Sequence, residues 1–536
     1  MKYKIDISLI FALAGGLLFN YLFWKEELAL NLFLLSLFIL TIYGFSKNIL
    51  SNKKLLGIAV AHVSAGLLVL INHSILTIIA WYISLFVLVG YTHFPELRSI
   101  FTALTAALLQ FFTAPIGLIK KIAAIEIAGF TLKPVLKLAK YLVIPGFIVL
   151  VFSIIYSIAN PVFESYIGTF FENIAEFIAH IFTFFFKDIS IDRIAFLVVG
   201  ILFSAFLFIT FKNELEKRER NFQDKLLRVR INKNEFSIWR EIIIFFSGDL
   251  LKKKMALKTE NAIAIISFTG LNILLLFLNG IDISTLWMGN LGSLNFSQAL
   301  HGSANALIMS IAMAMLVILY FFNGNLNFYS KNKTIRFLAY GWIIQNSFLI
   351  LSVLLRDYHY IDMHGLTYKR IGVIVFSLLC MIGLFIVYLK VAKQQSLFYL
   401  FKMNGAIWYL LLLVSGTINW DVFIVNYNIE KRNTATLDVR YLMTLSDKTL
   451  PTLIENKEIL KKYLSPSTSP YSIDGAATKT IIIDSIKINK QIKHSLSETF
   501  EVDLAKRTEN FKTNQEKISW LSWNYRDWET SRYFKK

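Results

Sequence analysis

One feature returns along the whole chain: an unbroken apolar run, closed by a short segment that carries Lys or Arg. Such runs lie at residues 5–24, 27–45, 54–72, 74–92, 141–159, 192–211, 261–279, 303–322, 336–355, 371–390 and 404–420. Each is close to the roughly 20 residues that cross a bilayer as a helix. Inside a membrane every backbone N–H and C=O must be satisfied within the segment, so repeated runs of this length allow a helical bundle and little else. The composition agrees, since 56% of the 536 residues are hydrophobic, 47 of them Phe, and the mean hydropathy is +0.56. A soluble chain keeps far more polar surface. The expected fold class is all-α, a polytopic membrane protein of about eleven spans.

The formal charge of +19 could point to nucleic acid, but the basic residues sit in short segments between apolar runs. That is the positive-inside pattern, so no nucleic acid is expected. Lys2, Lys4, Lys47, Lys53 and Lys54 mark one side, taken as cytoplasmic. Ala12-Leu13-Ala14 could imitate a signal-peptidase motif. Hydrophobicity continues past it to Trp24, however, so a retained first span is expected. Residues 100–119 are apolar enough to cross, yet Arg98 precedes them and Lys120 and Lys121 follow. A crossing would leave one basic cluster outside, which predicts a re-entrant or surface-lying helix. Thr102, Thr105, Gln110, Thr113 and Pro115 suit that placement if their polar groups face protein or water.

Four regions follow. Residues 1–211 form an N-terminal bundle, 212–258 a basic cytoplasmic insert, 259–420 a second bundle, and 421–536 a small, mostly helical external domain. Asn160-Pro161 should end a helix on the outer face, before a short amphipathic helix near 170–186. The insert holds thirteen Lys or Arg against seven Asp or Glu. Its NELEKRERNFQDK start reads as a solvated helix, while FSIWREIIIFF with Trp239 and Lys252–Lys254 reads as an interfacial segment that attracts anionic lipid. The external region has nineteen Lys or Arg against fifteen Asp or Glu. One helix there should continue from the last span, a second should lie near 446–463, and SPSTSPYSIDG should link to terminal helices. Membrane lipids and a protein partner of the external domain are the expected partners. Counting spans places the N-terminus in the cytoplasm and the C-terminus outside.

The densest polar stretch between two runs is RDYHYIDMHGLTYKR, from Arg356 to Arg370. Read as a loop, it should have Gly365 at a turn with positive φ, an Arg356–Asp357 pair near the outer boundary, and Lys369 and Arg370 reaching headgroup phosphates. Asp357, His359, Asp362 and His364 offer N and O donors, but their spacing lacks the one-face geometry of a helical metal motif, so no metal is expected. No cofactor is expected either. Gln298, His301 and Asn305, spaced three and four, would share one helical face opposite Gln345 and Asn346, as interhelical glue or as the wall of a pathway. Gly302, Ala306, Ser310 and Ala314, and earlier Gly57, Ala61 and Ala65, suggest close helix packing. Trp520, Trp523 and Trp528 suggest a terminal helix that buries an aromatic stripe, or a platform for a sugar or peptide. The lone Cys380 lies in an apolar run, which rules out a disulfide within one chain.

Arg356, Tyr360, Gly365, Leu366, Thr367 and Arg370 together resemble the hallmark of a bacterial membrane-protein family, domain of unknown function 4173, related to the 4153 family; His364 stands where that family has Tyr. NWDVFIVNYNIEKR, which holds Asn426, Tyr427 and Asn428, then LDVRYLMTLSDKTLPTL and the ending WLSWNYRDWETSR are similar to its downstream stretches, and IANPVFES is a further short motif. The resemblance implies a bacterial cytoplasmic-membrane protein with no assigned activity and no catalytic residues. Walker, dinucleotide, H-E-x-x-H, G-x-S-x-G and C-x-x-C signatures are absent from the sequence. Three functions are weighed. The first is a non-enzymatic envelope scaffold or sensor, favoured because no span is expected to hold an ionisable pair suited to a proton relay. A secondary transporter of a small polar solute is the second. A lipid-linked transferase at the outer leaflet is the third, disfavoured by the small loop Lys25-Glu26-Glu27.

Overall fold

Several helix starts in this chain carry the polar residue that their unpaired N–H groups require. Asp6 accepts from the Ser8 N–H (3.0 Å), Asn52 from the Lys54 N–H (3.0 Å), Ser190 from the Arg193 N–H (3.4 Å) and Ser396 from the Tyr399 N–H (3.1 Å). Ser74 and Thr77 form a reciprocal capping box. The protein is seen as a computed structural model that describes residues 6–47, 49–123, 126–127, 130–131, 145, 149, 152–153, 156–157, 160–185, 190–210, 214–226, 257–288, 296–322, 325–431, 437–464 and 481–535.

In chain order the described helices are α1 (Ile7–Phe23), α2 (Leu30–Lys47), α3 (Lys53–Asn72), α4 (Ile75–His93), α5 (Ile100–Ala123), α6 (Pro161–Phe185), α7 (Ile191–Phe208) and α8 (Leu215–Arg220). Then follow α9 (Leu257–Asp282), α10 (Phe296–Phe321), α11 (Lys333–His364), α12 (Tyr368–Ala392), α13 (Leu397–Ser415), α14 (Trp420–Glu430) and α15 (Val439–Met443). The last are α16 (Leu450–Glu455), α17 (Lys457–Lys462), α18 (Ile481–Lys517) and α19 (Tyr525–Lys535). A two-residue antiparallel pair, β1 (Glu126–Ile127) and β2 (Phe130–Thr131), is the one ladder among the described residues. Eight described helices are long and apolar enough to cross a membrane, and three shorter apolar ones accompany them. The protein is an all-α polytopic membrane protein.

Several expectations change. α11 runs 32 residues, about 48 Å, so Arg356–His364 is helix and only Gly365–Thr367 separates it from α12. An unbroken helix keeps its own hydrogen bonds as it leaves the apolar zone, so polarity alone does not end it. The last span does not continue into the next helix, because α13 stops at Ser415 and α14 starts at Trp420. Three short elements replace the single helix near 446–463: the 3-10 turn Asp447–Thr449, which leads into α16, then α16 and α17. Pro161 opens α6, and Asn160 accepts from the N–H groups of Val162 and Phe163. Most of span 141–159, the FSIWREIIIFF segment with Trp239, Lys252–Lys254 and the SPSTSPYSIDG linker lie outside the described residues.

The chain divides into two compact units. The first comprises residues 1–98, 102–219 and 519–524. α1 packs closely on α7: a side chain at Gly16 would meet the backbone of Ile201, and one at Gly200 the Gly16 carbonyl. Of the expected small-residue face, Ala65 is fully buried while a Cβ at Gly57 would meet nothing within 4 Å among the described residues. Ser522 and Asn524 join this unit: Ser522 Oγ donates to Glu26 (2.6 Å) and accepts from the Glu27 N–H (2.8 Å), and the Asn524 amide lies 3.1 Å from His73.

The second unit comprises residues 99–101, 220–518 and 525–536. A membrane core built on Phe268, Phe322, Trp342 and Leu384 holds α9–α12 together. Buried Lys390 donates to the Phe322 carbonyl (2.7 Å), which satisfies the end of α10. A second core joins Ile361 of α11, Leu366 of the turn and Ile371 of α12 to Ile424, Leu450 and Leu453, so α14 and α16 share a core with the ends of two spans. Arg507 of α18 binds Asp447 (2.6 Å) and the carbonyls of Met443 and Leu445.

Candidate functional site

The Arg356–Arg370 segment is where the sequence-derived candidates meet. Arg356 and Asp357 are neighbours on α11, hence about 100° apart around its axis, and they do not pair with each other. Arg356 pairs instead with Asp282 at the end of α9, a carboxylate only 1% exposed. Asp357, equally buried, takes Arg370 at 3.3 Å. Arg370 therefore turns inward rather than to headgroups, and its guanidinium lies 3.4 Å from the centre of the Tyr360 ring. His364 stacks on Tyr360 with centroids 4.5 Å apart. Lys369 is exposed.

Gly365 has φ +80°, as its position predicts, and a Cβ there would stand 2.6 Å from Asn428 Oδ1. Asn428 explains the requirement. Its Oδ1 accepts from the Leu366 N–H (2.6 Å) and its Nδ2 donates to the Leu366 carbonyl (2.9 Å). One amide thus satisfies both polar groups of a buried turn. Thr367 precedes α12, whose Tyr368 N–H donates to the Tyr441 hydroxyl (3.0 Å) and whose Tyr368 hydroxyl donates to Asp421 (2.7 Å). Burial pushes the Tyr441 phenol up, so it stays neutral as that acceptor. Asn426 is exposed and Tyr427 packs on the second core.

The four potential metal donors go to separate partners: Asp357 to Arg370, Asp362 to Lys431 at 3.8 Å, His364 to Tyr360, and His359 beside Tyr358. Gln298, His301 and Asn305 lie on α10, but their side chains fall outside the described ones. Gln345 and Asn346 have other partners: Gln345 Nε2 donates to Asn272 Oδ1 (2.8 Å), and Asn346 to the Trp342 carbonyl of its own helix (2.8 Å).

The sequence reading missed a polar seam between the parallel helices α9 and α11. Asn272 donates to the Leu338 carbonyl (3.0 Å), Asn279 to the Gln345 carbonyl (3.2 Å) and Trp287 to Ser352 (3.1 Å), and Asp282 closes the row with Arg356. Asn272 and Asn279, seven apart, were its signal. Asp282 and Arg356 lie just beyond the expected spans 261–279 and 336–355, on helices of spanning length. Asn279 Oδ1, Asp282 Oδ2, Asp357 Oδ2 and Arg356 Nη1 are buried and have no hydrogen-bond partner among the described residues. A five-residue π-helical turn, Ile283–Trp287, follows Asp282 directly.

The Trp-rich ending also differs from expectation. Trp520, Trp523 and Trp528 are 59%, 37% and 42% exposed, while Leu521, Ser522 and Asn524 are buried. The residues between the indoles make the contact, because the 3-10 turn Trp520–Ser522 points them inward.

The sequence matches the family described as Domain of unknown function (DUF4153) over residues 35–456. The chain belongs to this family. The family match thus lies with 4153 rather than with the related 4173 pattern. No curated protein and no solved structure matches the chain. The DUF4153 match takes in both the seam and the Gly365 turn with its Asn428 clamp, and it stops before α18 and the Trp-rich ending.

Proposed function

We propose that this membrane protein is a non-enzymatic scaffold or sensor of the bacterial cytoplasmic membrane, with its N-terminus in the cytoplasm and its C-terminal helices outside. The observation behind it is the Asn428 clamp on Leu366, which ties residues 421–464 to the turn between two spans, so that force or binding on those helices reaches α11 and α12 directly. The sidedness has support within each unit. In the first, Ser522 and Asn524 meet Glu27 and His73, at the opposite end of α3 from Lys54. In the second, Asp224 at the start of the basic insert meets Lys402 and the Ser396 N–H, at the opposite end of α12 from Gly365. The insert itself binds anionic lipid in this reading, and the C-terminal helices bind a protein or envelope ligand.

The test is site-directed labelling of full-length protein in cells with a membrane-impermeant reagent. Cysteines at exposed Asn426 and Trp528 should label from outside, and one at Lys225 only after permeabilisation. The opposite result overturns the reading. The α9–α11 seam favours transport of a small polar solute as a second reading, since unpartnered polar atoms inside spans often line pathways. It requires solute flux in proteoliposomes that Asp282→Asn abolishes while assembly persists.

A further inference from the structure

The ends of the first bundle can be told apart. α1 and α7 are antiparallel, because Asn20 donates to the Arg193 carbonyl (3.2 Å) while the Phe11 ring meets Phe208 at 6.1 Å. Tyr43, near the end of α2, donates to the Leu207 carbonyl (2.5 Å), and a ring nitrogen of His93, the last residue of α4, lies 2.7 Å from the same oxygen. Lys54 donates to the Pro95 carbonyl (3.3 Å), just past α4. The start of α1, the ends of α2, α4 and α7, and Lys54 therefore share one end.

α5 meets that end along its whole length. Near its start, Ala103 backbone lies so close to Gly90 that a Cβ there would stand 2.2 Å from the Ala103 carbonyl oxygen. At its middle, Gln110 donates to the Ile209 carbonyl just beyond α7, and the Phe111 ring lies 5.4 Å from Phe206. At its far end, Lys121 pairs with Asp6, the cap of α1, at 2.5 Å. A helix of 24 residues is about 36 Å long. Had it crossed, Lys121 would stand beside the other end, where Trp24 and Arg193 are. By length and hydropathy alone it could cross; its contacts place it across one end.

Its faces divide accordingly. At 100° per residue, Thr105, Leu108, Leu109, Phe112, Ile116 and Ile119 fall within an arc of about 100°, and all six are exposed. Ala103, Ala106, Gln110, Ala114 and Leu118 fall on the opposite side and are buried. Ile7 and Ile10 are exposed at the start of α1, whose cap Asp6 pairs with Lys121 at the end of α5.

We infer that α5 lies in the plane of the membrane, with its Leu108–Phe112–Ile116 face against the acyl chains of the leaflet at the Lys54 end. The occupant is lipid because the surface is apolar, lies at a bundle end and ends beside the start of a span with exposed apolar residues. An in-plane helix fastened to α1, α4 and α7 holds the ends of three helices at one depth in that leaflet.

Full-length protein with Cys380→Ala and single cysteines at Thr105, Phe112 or Ile119, each carrying a fluorophore, tests this in vesicles whose lipids are brominated at known acyl depths. The expected result is one shallow quenching depth for all three. A crossing helix separates positions 105 and 119 by about 21 Å of depth, which overturns the proposal. Equal positions that no acyl bromine quenches place the face against protein or water, and overturn it as well. Arg98→Cys and Lys120→Cys, at exposed polar positions just before α5 and near its end, should also react with impermeant thiol reagent from the same side; opposite sides would refute the in-plane placement by an independent readout.

Discussion

Two turns in this protein solve the same problem with different chemistry. Between α4 and α5, buried Glu219 accepts from the Arg98 N–H (3.1 Å) and the Thr102 hydroxyl (2.9 Å), and Glu216 accepts from the Glu96 N–H (2.8 Å). A carboxylate can only accept, so the carbonyls of Pro95 and Leu97 go to Lys54. Between α11 and α12, one neutral amide, Asn428, takes both the N–H and the C=O of Leu366. The first turn thus needs opposite charges from α3 and α8, whereas the second needs one uncharged side chain and a glycine. Charges drawn from two elements make a contact that responds to ionic conditions; an amide does not.

The largest effect that would break this contrast is at Gly365. Gly365→Val should destabilise the α11–α12 turn by about 3 kcal/mol or more, through a positive φ and a collision with Asn428. Limited proteolysis of residues 437–464 should accelerate while the spans still insert. Asn428→Ala should cost about 2–4 kcal/mol, because it leaves two buried backbone groups unpaired. Asn428→Asp should lose the donor and recover only part. Unchanged amide exchange at Leu366 in either variant would show that the clamp is not what holds the turn.

Glu219→Gln should cost about 1 kcal/mol, since it removes the negative charge that Lys54 faces and weakens two charge-assisted hydrogen bonds to neutral ones. Exchange at Arg98 should quicken, and high salt should narrow the difference from the native protein, whereas the Asn428 variants should show no such salt dependence. Smallest is Lys431→Ala. Its partner Asp362 is 3.8 Å away and both side chains are over 40% exposed, so less than about 0.5 kcal/mol should be lost in thermal unfolding.

How far the sequence reaches is visible in these residues. Hydropathy placed the helices at 54–72, 74–92, 192–211 and 371–390 within a few residues of α3, α4, α7 and α12, because membrane helix formation depends on a local sum of side-chain hydrophobicity. The positive φ at Gly365 was legible for a similar reason, a turn between two runs. The polar ends were misjudged: Arg356–His364 reads as a loop by composition, yet helical hydrogen bonds carry α11 through it.

What local sums could not determine is which side chain meets which. Arg356 pairs with Asp282, 74 residues away, and Asn428 reaches Leu366 from 62 residues further on. Those partners are fixed by helix register and axial rotation, which 100° per residue makes very different for neighbours such as Arg356 and Asp357. The sequence by itself determined that the chain enters a membrane as helices and that a glycine turn joins two of them. Only the tertiary structure decided that the turn is closed by an amide from α14, since hydrophobic burial is indifferent to partner whereas a hydrogen bond requires one donor, one acceptor and about 3 Å between them.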